Sequence, residues 1–181
     1  RLPIQDIYKI DDKRVIVGRI ETGGLKLNDE LFFLPSNEIV KLKSFEVWPK
    51  AKNKYMSGDN VGLTIEDQIF IDKGNLISHV TSRPKLMNTF EANLFWLSDK
   101  KLKIDKHYLM KINTGEYNIF ISKVSKVIDT NTLSSKTSSL SPEKNDVCEV
   151  VIHSSQLIPM DDFKDNQKTG RFCILDEEKI I

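Results

Sequence analysis

The sequence has 181 residues, 39% of them hydrophobic and 29% charged, a balance of globular rather than disordered or fibrous chains. Its 27 Lys+Arg and 26 Asp+Glu leave a net charge of +1, without the basic excess of a dedicated nucleic-acid binder. No apolar run approaches the ~20 residues that span a bilayer. The start at Arg1-Leu2-Pro3, with no initiator Met and no signal-peptide pattern, reads as a piece of something longer.

In chain order, short Val/Ile/Phe-rich runs bounded by Gly, Pro, Asn or Asp predict strands over 4–10, 14–21, 30–34, 39–48, 60–65 and 75–78. Gly23-Gly24 supplies a tight turn after the second run, and Pro35-Ser36-Asn37 makes a hairpin between the third and fourth. Composition shifts at Arg83-Pro84, so a first domain over 1–82 and a linker over 83–87 are expected. Strands resume at 88–97, 107–112, 117–128, 147–153 and 172–175, with Asn113-Thr114-Gly115-Glu116 as a short hairpin loop, in a second domain over 88–181. No segment holds a 3.6-residue apolar period over three turns. The expected class is all-β, two consecutive antiparallel barrels. Eight of the twelve residues at 130–141 are Ser or Thr, which predicts a mobile loop near 130–145 inside the second domain.

The chemistry-bearing residues are sparse. There is no Gly-x-x-x-x-Gly-Lys-Ser/Thr loop and no Gly-x-Gly-x-x-Gly. Asn53-Lys54 lacks the following Asp of a guanine reader, since position 56 is Met. His79, His107 and His153 are too far apart for a local metal motif. Cys148 and His153 lie five apart on a predicted strand, hence on opposite faces. Cys148 and Cys173 both sit in apolar runs and read as buried, inert thiols of a reducing compartment. Asp161-Asp162 and Asp165 suggest a turn-rich loop more than a metal site. Lys50, Lys52 and Lys54 beside Trp48 and Tyr55 read as a protected strand edge, with a nucleic-acid surface as the rival, and Trp96 reads as core. No catalytic, cofactor-binding or metal residue is assigned.

The order of motifs carries a resemblance. Val15-Ile16-Val17-Gly18-Arg19-Ile20-Glu21-Thr22-Gly23, then Leu25 to Glu30, Gly58-Asp59-Asn60-Val61-Gly62-Leu63 and Ile71-Asp72-Lys73-Gly74-Asn75-Leu76-Ile77 resemble the second domain of translation-factor-type, elongation-factor-like GTPases. Thr169-Gly170-Arg171-Phe172-x-Ile174-Leu175-Asp176 resembles a segment near the end of their third domain. Ala92-Asn93-Leu94-Phe95-Trp96-Leu97 with Lys101-Leu102, Tyr108-x-Met110-Lys111-Ile112, Asp129-Thr130-Asn131-Thr132-Leu133 and Asp162-Phe163-x-x-Asn166-x-x-Thr169-Gly170 resemble, within that superfamily, the GTPase subunits of bacterial sulfate adenylyltransferase.

The resemblance implies two non-catalytic barrels of a cytoplasmic regulatory subunit. GTP and Mg would belong to a GTPase domain preceding them, and no cofactor to this chain. The complete enzyme would make adenylyl sulfate from ATP and sulfate in a separate catalytic subunit. The barrels would couple the GTPase domain to that subunit by contacting it differently in its two nucleotide states. Candidate interface residues are Asn166, Thr169, Gly170 and Arg171, with Gly58 and Asp59 at a second turn. Two alternatives share the fold class. One is a translation-factor fragment that binds aminoacyl-tRNA; 13 basic against 12 acidic residues in 1–84, and 14 against 14 in 85–181, weigh against it. The other is an unrelated ligand-binding double barrel, which would need a small-molecule cavity.

Overall fold

The computed structural model describes residues 1–49, 52–130, 132, 134–135, 141–176 and 179–180. Among them there is no helix. The strands are β1 (Leu2–Ile10), β2 (Lys13–Arg19), β3 (Gly24–Lys26), β4 (Glu30–Leu34), β5 (Glu38–Phe45), β6 (Lys54–Met56), β7 (Asn60–Ile65) and β8 (Leu76–His79). They continue with β9 (Lys85–Phe95), β10 (His107–Ile112), β11 (Gly115–Asp129), β12 (Ser134–Ser135), β13 (Val147–Met160), β14 (Phe172–Asp176) and β15 (Lys179–Ile180). The all-β expectation holds. Residues 131, 133 and 136–140 of the expected loop near 130–145 lie outside the described residues, as does Lys50.

Two compact units are present. The first comprises Arg1–Leu86, Ile112–Gly115 and Pro159–Arg171; the second comprises Met87–Lys111, Glu116–Ile158 and Phe172–Ile181.

The first unit is a closed barrel in the order β1-β2-β7-β5-β4-β8, with β3 and β6 as a separate ribbon. Alternation explains it: Ile16 and Ile20 of the second run point inward with Leu2, Ile4, Leu31, Phe33, Leu42, Leu63 and Ile77. The two-residue turn Asp11-Asp12 closes the β1–β2 hairpin, with Asp11 at a positive φ of 52°, and Pro35-Ser36-Asn37 closes the β4–β5 hairpin. Gly62 is required by packing. A Cβ there would stand 2.7 Å from the Glu46 carbonyl oxygen and 3.1 Å from Val15 Cγ1.

The second unit is a seven-stranded sheet in the order β15-β14-β10-β11-β13-β9, with β12 paired to β11. Its core includes Trp96, Met110, Ile119, Ile121, Val127, Val150, Ile152 and Ile158. Trp96 is core as expected, 2% exposed, with Nε1 donating to the Lys100 carbonyl at 2.9 Å.

One sequence expectation is corrected here. Cys173 is exposed. The two-residue period of β14 sends Ile174 and Asp176 inward and turns Cys173 out, despite its apolar neighbours. Tyr55 is buried, and its hydroxyl accepts the Lys52 amide at 3.0 Å. Of the two aromatics in that stretch Trp48 stands in solvent, as do Lys52 and Lys54. Cys148 is buried as expected, and burial, with the Asp146 charge beside it, pushes its thiol up to about 12.

Candidate partner-binding surface

Within the first unit, residues 159–171 leave β13 at Met160 and run through turns, with the amides of Asp165 and Asn166 bonded to the Asp162 carbonyl. Asp161 anchors the segment. Its carboxylate takes a fork from Arg1, Nε at 2.8 Å and Nη2 at 2.7 Å. It also accepts from Thr169 Oγ1 at 2.5 Å and Asn166 Nδ2 at 3.3 Å. The side chains of Arg1 and Asp161 are 12% and 8% exposed.

The second candidate turn adjoins this one through Glu21. Lys168 Nζ donates to the Glu21 carbonyl at 3.0 Å, and Ser57 Oγ to the same oxygen at 2.7 Å. The Gly58 amide donates to the Ile20 carbonyl at 2.8 Å. Asp161 and residues 165–168 line, with Arg1, Thr22, Ser57 and Ser82, one shallow depression of about 490 Å³, which Gly58, Asp59 and Arg171 do not line.

Of the residues singled out from sequence, Thr169 is fully buried and Asn166 is half-buried, its amide shared between Asp161 and Thr22 Oγ1. Gly170 is wedged in: a Cβ on it would stand 2.7 Å from the Phe163 backbone. These three shape the segment. Arg171, Gly58 and Asp59 are exposed. Arg1, Glu21 and Thr22, which hold the segment, were not singled out by sequence reasoning. Nothing local could have pointed to them, because Arg1 and Asp161 are 160 positions apart.

Polar side chains of the segment are engaged with one another. Both Asp161 oxygens are occupied by donors, and Asp162 is paired with Lys85. Among the described residues no cluster of three His, Cys, Asp or Glu side chains could hold a metal. His153 faces away from Cys148 and lies between Thr89 Oγ1 at 3.0 Å and Ser122 Oγ at 2.8 Å.

The carboxyl of Asp161 feels opposing effects. Burial pushes it up, while the hydrogen bonds from Arg1 and Thr169 and the Arg1 charge outweigh burial and hold it below the usual carboxylate range. Its contribution to stability is therefore present above the unfolded-state value of about 3.9 and is lost as pH falls through the lower folded value. Urea midpoints measured downward from about pH 5 should fall steeply below about pH 4. That fall should be shallower in Asp161→Asn; equal slopes would deny Asp161 the role.

Comparison with known proteins follows the same line. The family profile described as GTP-eEF1A C-terminal domain-like matches residues 89–181. Sulfate adenylyltransferase subunit 1 of Saccharophagus degradans is 28% identical over 177 residues, 97% of this chain and 37% of that protein. The proteins of the same name from Shewanella woodyi and Francisella tularensis subsp. novicida are each 27% identical, over 91% and 97% of the chain. The chain spans little more than a third of the length of these relatives. Sup35 complexed with GDP superposes with a TM-score of 0.88 over 99% of this chain and 44% of that one, at 21% identity. The fold is thus that of the translation-factor domains.

Proposed function

Because the chain belongs to the GTP-eEF1A C-terminal domain-like family, we propose that it serves as the non-catalytic barrel portion of a sulfate adenylyltransferase regulatory subunit. In this reading it joins a GTPase domain, which binds GTP and Mg, to the cytoplasmic catalytic subunit that makes adenylyl sulfate. The observation that carries the reading is the run of relatives bearing that one name, aligned over 91–97% of the chain. The absence of any phosphate-loop motif agrees with a coupling role. The exposed Arg171, Gly58 and Asp59 would meet a partner, on a base that Asn166, Thr169 and Gly170 shape.

Binding to purified catalytic subunit tests this. The chain should bind weakly, since an interface can lose most of its affinity with a few missing contacts. Arg171→Ala with Asp59→Ala should lower that affinity about tenfold. Unchanged affinity would move the docking surface elsewhere, and no binding by the parent chain would remove the docking role. Calorimetry with GTP should register no binding; micromolar affinity would contradict a role confined to coupling.

A further inference from the structure

Beyond Ile4, whose amide and carbonyl bond to Asn75 O and the Gly74 amide, the β1 edge of the β1–β2 hairpin has no strand beside it among the described residues. β1 meets β8 only at Leu2 and Pro3, whereas its pairing with β2 continues to Ile10. A two-residue turn, Asp11-Asp12, closes the hairpin at the Ile10–Lys13 pair. Such a closing pair exchanges hydrogen bonds, and in an antiparallel ladder every second pair does so. Asp6, Tyr8 and Ile10 therefore bond to β2, and the peptide groups of Ile7 and Lys9 face the open edge. The Ile7 amide agrees, since it donates to the Asp6 side chain at 2.8 Å instead of to a neighbouring strand.

The outward face beside this edge is apolar at its centre. Tyr8 and Ile10 point outward at 50% and 54% exposure, opposite Val15 and Lys13. Val15 is covered by the stretch after β5: Gly62 brings Glu46 and Val15 together, and Lys13 Nζ bonds Glu46 at 3.1 Å. Two residues beyond Glu46, Trp48 is 91% exposed. The ends of this face are acidic, with Asp6 on one side and Asp11-Asp12 at the tip; Lys13 is held by Glu46, and Lys9 and Arg14 alternate onto the opposite face, Arg14 bonded to the Ile69 and Ile71 carbonyls.

We propose that the β1 edge at Ile7 and Lys9 receives an added strand from a partner protein, an extended segment apolar at its centre and carrying Lys or Arg at its ends. The Ile7 carbonyl and the Lys9 amide and carbonyl supply the backbone bonds of such an addition, and alternate side chains supply selectivity. The charge pattern selects the occupant. On this face a polyanion would meet three aspartates, Lys9 being on the other. A second copy paired edge to edge would bring Asp6, Asp11 and Asp12 of both chains together, which is unfavourable. A basic-ended segment sets opposite charges at both ends and apolar side chains against Tyr8 and Ile10.

The test uses the full chain and two blocked heptapeptides, Lys-Thr-Val-Thr-Ile-Thr-Lys and its counterpart with Glu at both ends. In an NMR titration the Lys-ended peptide should shift the amides of residues 6–10, slow hydrogen exchange at Lys9, and bind about tenfold more tightly than the Glu-ended one at low salt. Lys9→Pro removes the edge-facing N–H without touching the ladder to β2. It should keep the thermal midpoint and lose at least about tenfold in affinity. If that variant is unfolded, Tyr8→Glu with Ile10→Glu, confined to the outer face, replaces it and should show the same loss. Equal binding of both peptides, shifts that bypass residues 6–10, undiminished binding by a folded variant, or self-association that protects Lys9 would each overturn the proposal.

Discussion

Trp96→Ala should destabilise the second unit by about 4 kcal/mol, the largest single loss expected in the chain. The indole is 2% exposed and its N–H bonds the Lys100 carbonyl. The Trp96 backbone also exchanges bonds with the 145–146 turn, its amide donating to Asp146 O at 2.9 Å and its carbonyl accepting from the Asn145 amide at 2.7 Å. Truncation removes the ring's contacts, leaves a cavity, and removes the indole N–H bond to the Lys100 carbonyl. Trp96→Phe fills most of the space and loses mainly the hydrogen bond, so about 1–2 kcal/mol is expected. Urea unfolding read by circular dichroism measures both. Losses of similar size in the two variants would mean that the hydrogen bond, not packing, dominates. Trp48, at 91% exposure, is a quiet second fluorophore, and a Trp48→Phe background lets Trp96 emission report its own surroundings.

Asp161→Ala should cost the first unit about 3 kcal/mol. An exposed ion pair would be worth a fraction of that. Here both partners are almost enclosed, and the carboxylate also receives Thr169 and Asn166. Removing it leaves the Arg1 guanidinium with the carbonyl and hydroxyl of Ser82 as acceptors, and takes from the buried Thr169 hydroxyl its bond to the carboxylate. Arg1→Ala with Asp161→Ala should be less damaging than the two single losses added together, because the stranded charge is gone as well. Urea midpoints at pH 7 decide it. A loss below about 1 kcal/mol would show that water screens the pair.

Much of the fold was legible because alternation is a local signal. The runs at 30–34, 60–65 and 107–112 coincide with β4, β7 and β10. The misses have physical causes. Gly24–Lys26 and Lys54–Met56 are three residues each, too short to show a period, and they pair only because the barrel brings them together. β13 runs on to Met160 through Ser154, Ser155 and Gln156, whose polarity hid its continuation. Cys173 misled because an apolar neighbourhood says nothing about which face a residue occupies. The candidate surface was half legible. Asn166, Thr169 and Gly170 were singled out by motif, but the groups they bond, Thr22 and Asp161 among them, depend on a contact map rather than a pattern.

The three-part composition of the first unit has a consequence for synthesis. Its barrel strands lie within the first 86 residues, yet the clasp on Arg1 belongs to Asp161. At ribosomal speeds of about 5–20 residues per second, the guanidinium waits roughly 4–15 s between completion of that stretch and the emergence of its carboxylate. During that interval the nascent barrel lacks its last polar lock, while the second unit is still being made. A gene truncated after residue 86 would keep the molecule at that unfinished stage.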